Sequence, residues 1–144
     1  MDLILELDPL LLIPFALVIV LMILPHISRR FKGKVSYILT GELNNLLAQD
    51  SAVVMVDIRP QKEFLAGRIE GSVNVSKAEL KSKIQDGGSE LEELKSQQIV
   101  VVCKSDMDSI DAAKQMEAAG FDNVAVLQGG FFRWKRDRLP VQKG

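Results

Sequence analysis

Every residue from Leu10 to Leu24 is apolar, and that run limits what the chain can fold into more than any other feature. With Pro9, Pro25 and Ile27 it approaches the ~20 residues that cross a ~30 Å hydrocarbon core. A buried core helix is the competing reading, because apolar runs of ~10–14 residues are often that. Nothing polar recurs here at helical spacing, however, so the run has no face to turn toward water. One N-terminal transmembrane helix is therefore expected within residues 1–34. Pro14 falls inside it, as a kink that lipid-embedded helices tolerate.

The flanks orient this span. Asp2, Glu6 and Asp8 make the start acidic, unlike the basic start of a cleaved signal peptide. Arg29, Arg30, Lys32 and Lys34 follow the run, and cations beside a span stay on the cytoplasmic side. The expectation is a single-pass protein of the inner (cytoplasmic) membrane, with its N-terminus outside and the remainder in the cytoplasm. His26 lies at the boundary, where an interfacial imidazole explains it better than a metal ligand does.

Residues 35–144 leave room for one further domain, since domains usually run to roughly 100–150 residues. The formal net charge of −1 is too small for a nucleic-acid binder, which carries a basic stripe. A single cysteine excludes an internal disulfide framework and a cysteine-rich zinc site, and suits a reducing compartment. No metal or other cofactor is expected.

Short β-branched runs alternate with helical stretches over this region. Strands are expected at Val35–Ile38, Val53–Asp57, Ser72–Val75, Ile99–Cys103 and Val124–Leu127. Thr40 can cap a helix through Ala48, Gln85–Glu90 reads as a surface loop, and Ser109–Ala119 reads as a helix closed by Gly120. The pattern implies an α/β fold, a doubly wound, mostly parallel five-stranded sheet with helices on both faces. Ligands of such sheets collect at the carboxyl ends of strands, and Cys103 stands at one. On spacing alone an inert buried thiol is the simpler account of it.

Three stretches change that balance. Val56-Asp57-Ile58-Arg59 is followed by Glu63-Phe64, Gly67-Arg68-Ile69, Gly71-Ser72 and Asn74-Val75. Cys103 ends a strand, with Ser109 six residues on. Leu127-Gln128-Gly129-Gly130-Phe131 precedes Trp134 and Leu139-Pro140-Val141. In order and residue type these resemble the rhodanese signature across nearly all of residues 35–144. The resemblance implies a rhodanese-like fold and a sulfurtransferase. A sulfane sulfur would pass from a donor to Cys103 as a persulfide, then to an acceptor.

Within that reading Cys103 is the catalytic residue, and Lys104, Ser105, Asp106, Met107, Asp108 and Ser109 form the active-site loop. Consecutive backbone N–H groups of the loop, with the following helix N-terminus behind them, can stabilise sulfur as an anion. Asp57 and Arg59 are expected as a structural ion pair. Asp106 and Asp108 occupy positions where thiosulfate-using members carry glycine and arginine. One such carboxylate ~6 Å from a dianionic donor costs about 1–5 kcal/mol. Asp108 also has a structural reading, as a helix N-cap with Asp111 in the first turn. Thiosulfate activity is thus expected to be weak, and the donor to be a protein persulfide or a small, poorly charged sulfur compound. A phosphatase of the related type is disfavoured, because no arginine lies between Arg68 and Arg133. Arg68 stands where the signature has histidine. The competing reading is a noncatalytic rhodanese-like module that uses the anchor and fold to bind another membrane or cytoplasmic protein, with Cys103 incidental. Arg133, Lys135, Arg136 and Arg138 read as a solvated basic face, with contact to anionic lipid as the alternative.

The flank charges generate a topology test. A cysteine placed at the N-terminus of a Cys103→Ser chain is expected to react with an impermeant maleimide in intact cells. Reaction only after lysis would reverse the orientation.

Overall fold

Val100, Val101 and Val102 have no exposed surface, which requires a strand covered on both faces. The computed structural model describes residues 13–14, 17–20, 22 and 35–144, and places this strand within a five-stranded sheet. The chain divides into two compact units, Met1–Gly33 and Lys34–Gly144.

In the first unit the described residues are helical, and Ile13, Leu17, Val18, Ile19, Val20 and Met22 are exposed. Among the described residues no helix is long and apolar enough to cross a membrane. Most of the expected span and its basic flank lie outside the described residues.

The second unit carries β1 (Ser36–Ile38), α1 (Thr40–Ala48), β2 (Val53–Asp57), α2 (Gln61–Ala66) and β3 (Val73–Asn74). It continues with α3 (Lys77–Asp86), α4 (Ser89–Leu94), β4 (Gln98–Val102), α5 (Asp106–Ala118), β5 (Asn123–Leu127) and α6 (Gly130–Arg136). The order across the sheet is β1-β5-β4-β2-β3, and every ladder is parallel. Val102 of β4 lies beside Asp57 of β2, and the Ile58 N–H donates to the Val102 carbonyl at 2.9 Å. The two strands therefore end level, at the central position where connections run to opposite sides of the sheet.

Two-residue alternation along β4 explains the two cores. Ile99, Val101 and Cys103 join Leu80 of α3 and Ala112, Ala113 and Met116 of α5, with Leu91 and Leu94 of α4 packed alongside. Val100 and Val102 join Leu43 of α1 and Phe131 and Trp134 of α6. Helices thus cover both faces. The edge strands β1 and β3 are only three and two residues long.

Several boundaries differ from expectation for identifiable reasons. Thr40 is no cap: Leu39 holds the N-cap position, while the Thr40 hydroxyl donates to Asp137 Oδ2 at 2.6 Å. The Gln85–Glu90 loop shrinks to Gly87 and Gly88, because a Ser76/Glu79 capping box starts α3 firmly and the helix runs to Asp86. Helix α5 begins at Asp106, three residues before the expected Ser109. Ser105, with extended φ/ψ of −141° and −177°, holds its N-cap position, which displaces Asp108 from the capping role. Carboxylates at Asp106 and Asp108 suit the positive end of the helix, so the acidic stretch is compatible with helix rather than loop.

Trp134 is 1% exposed, and its indole N–H donates to the Pro140 carbonyl at 2.8 Å, fastening the C-terminal segment. Trp134→Ala is expected to cost about 3–5 kcal/mol in urea unfolding, the range for losing a large buried aromatic.

Candidate active site

The carboxyl ends of β2, β4 and β5 bring the three motif stretches to one place. Cys103 follows β4, is 6% exposed, and sits at the end of the row that packs under α5. Burial pushes its thiol above the ordinary cysteine value, and the charges of Asp108 and Asp57 push the same way. The backbone N–H groups of Lys104 and Ser105 hydrogen-bond toward it and oppose the rise. Both N–H groups thus favour the ionised sulfur.

Its remaining residues have other partners. Asp106 Oδ1 accepts from the Gly129 N–H at 2.5 Å, tying the start of α5 to the turn before α6. Asp108 is exposed and accepts from Lys77 Nζ at 2.8 Å, with Asp111 at 3.6 Å from the same ammonium. The buried Ser109 hydroxyl donates to the carbonyls of Ser105 and Asp106, at 3.2 and 3.0 Å, inside its own helix. Lys104, Ser105 and Met107 face solvent. The two acidic residues of the loop therefore each have a partner. One carboxylate closes a turn and the other is paired with a lysine that the sequence pattern did not bring to the site.

Asp57 and Arg59 form a buried ion pair, with Arg59 Nη2 at 2.6 Å from Asp57 Oδ2 and Nε bonded to both carboxylate oxygens. The same Nη2 donates to the Gly67 carbonyl at 2.8 Å, and the guanidinium lies 3.8 Å over the Phe131 ring. Asn74 completes the turn by donating from Nδ2 to the carbonyls of Asp57 and Arg59, at 2.9 and 2.8 Å. That role of Asn74 had no signal beyond its place in the motif.

Gly130 is the tightest point. Its φ is +57°, and a Cβ there would meet the Cys103 carbonyl oxygen at 2.5 Å. The Phe131 N–H donates to that carbonyl at 2.7 Å, so β4 and α6 touch directly at the cysteine. Arg68 lies elsewhere, bridged to Gln142 and stacked on Phe64 at 5.1 Å. Among the described residues no cluster of three His, Cys, Asp or Glu side chains could hold a metal ion.

The charge of Asp108 disfavours the Cys103 thiolate, so Asp108→Asn is expected to lower the thiol's midpoint. Iodoacetamide alkylation of Cys103 near pH 7 should then run faster than in the native chain, and the pH profile should shift to the acid side. Stability should change little, because exposed pairs such as Lys77–Asp108 contribute ~0.2–1 kcal/mol.

Comparison with known proteins agrees with the fold and the motifs. The rhodanese-like domain model matches residues 39–137. YibN of Escherichia coli strain K12 is 36% identical over 112 residues, which span 78% of this chain and 76% of that protein. The thiosulfate sulfurtransferase GlpE of Pseudoalteromonas translucida is 34% identical over 83 residues, spanning 58% of this chain and 73% of GlpE. The crystal structure of a thiosulfate sulfurtransferase from Pseudomonas aeruginosa superposes with a TM-score of 0.66 at 25% identity, covering 76% of this chain and 20% of that one. With an all-parallel sheet ending at Cys103, and a family match over most of its length, the chain belongs to the rhodanese-like domain family.

Proposed function

We propose that this chain is a membrane-anchored sulfurtransferase that carries sulfane sulfur as a persulfide on Cys103. One observation carries the reading: the sole cysteine stands at the carboxyl end of the central strand, where the backbone N–H groups of Lys104 and Ser105 favour the charged sulfur. A thiolate formed there is a nucleophile, and the same N–H groups stabilise negative charge on the sulfur it gains. GlpE, named a thiosulfate sulfurtransferase, lends support as a relative.

The electrostatics argue about the donor. Asp108 and Asp57 both disfavour an anion at Cys103, so a dianion such as thiosulfate is a poor match. A protein persulfide or a small donor of low charge fits better. The same raised thiol favours the second reading, a noncatalytic rhodanese-like module that binds another membrane or cytoplasmic protein. The anchor is proposed from the apolar run Leu10–Leu24, and its basic flank supports a domain on the cytoplasmic side of the inner membrane.

Intact-mass analysis after incubation with polysulfide separates the two readings. The native chain is expected to gain sulfur and Cys103→Ser to gain none, with both shown to be folded by circular dichroism. A native chain that captures no sulfur would leave the binding module as the better account.

A further inference from the structure

Beside the Cys103 loop two large apolar side chains face water: Met107 in the first turn of α5 is 78% exposed, and Phe132 in α6 is 62% exposed. Both stand close to the Cys103 loop, since α5 starts at Asp106 and the Phe132 N–H donates to the Lys104 carbonyl at 3.4 Å. Around Phe132 the charge is mostly positive. Lys104 is exposed, and the segment Arg133–Arg138 holds four cations against the single carboxylate of Asp137. Beside Met107 the acids have partners of their own, Asp106 bonded by the Gly129 N–H and Asp108 and Asp111 sharing Lys77.

An apolar pair bordered by cations suits a protein surface with an apolar contact and negative charge. We infer that Met107, Phe132, Lys104, Lys135 and Arg136 form the docking surface for an acidic protein segment that presents its own persulfide to Cys103. This rests on the sulfur-carrier reading and specifies its donor. In the transfer the Cys103 thiolate attacks the outer sulfur of the partner's persulfide. The bond between the partner's two sulfurs breaks, its electron pair stays on the partner's cysteine, and Cys103 keeps the outer sulfur. The proton lost by the Cys103 thiol ends on the partner's thiolate, so no oxidant or reductant is consumed.

The test uses the full-length chain and two persulfidated peptides of equal length, each with leucine beside its cysteine. One is rich in glutamate, the other in lysine. Loading of Cys103, read by intact mass, is expected to be about tenfold faster from the glutamate peptide at low salt, with the advantage shrinking as salt screens the charges. Lys135→Glu/Arg136→Glu should erase or invert that ratio, and Phe132→Ser should lower the rate from the glutamate peptide severalfold. Equal loading from both peptides overturns the proposal. So does a ratio unmoved by Lys135→Glu/Arg136→Glu when that variant instead loses affinity for phosphatidylglycerol vesicles, which assigns the cations to a lipid surface. If even polysulfide fails to load the native chain, the sulfur-carrier reading has failed separately. Docking is then decided by fluorescence anisotropy of the glutamate peptide with serine in place of its cysteine. Saturable binding weakened by Lys135→Glu/Arg136→Glu supports the surface, and no binding overturns it.

Discussion

The fork of Arg59 connects parts of the chain that nothing else joins so directly. Its guanidinium bonds the carboxylate of Asp57 at the end of β2 and the carbonyl of Gly67 after α2, and covers the ring of Phe131 at the start of α6. Burying either charge alone would cost several kcal/mol, whereas together each satisfies the other and the guanidinium also meets a backbone acceptor. Phe131 in turn donates its N–H to the Cys103 carbonyl. The position of the cysteine backbone therefore depends on an ion pair formed at the end of the neighbouring strand.

Around the sulfur itself the forces are opposed. A buried thiol resists ionisation, and two nearby carboxylates add to that resistance, while two backbone N–H groups work against it. Helix α5, starting just beyond, adds its positive end in the same sense as the N–H groups, but Asp106 and Asp108 in its first turn spend part of that field. The balance favours the protonated thiol, in contrast to a cysteine held permanently as thiolate.

The parallel sheet was legible because strands buried on both faces read as continuous β-branched runs, and Val53–Asp57 emerges with the boundaries its residues suggest. The motif stretches also located the end of β4 and the glycine pair. What local patterns could not convey was pairing across the sheet edge. Asp106 looks like a free acid until Gly129 is folded against it, and Asp108 looks like a cap until Lys77, thirty-one positions earlier, reaches it from α3. Helix ends were misjudged for the same reason: Thr40 resembles a cap, but its hydroxyl is claimed by Asp137, ninety-seven positions away.

The contact at Gly130 limits how the cysteine can respond to chemistry. With the Cys103 carbonyl bonded to the Phe131 N–H and wedged against the Gly130 α-carbon, the main chain at this point has almost no slack. A group attached to Sγ is then accommodated with the Cys103 carbonyl held in place. The contact between β4 and α6 would then be the same in the modified and unmodified protein, so a molecule that distinguishes them reads the sulfur side of the strand end rather than the α6 side.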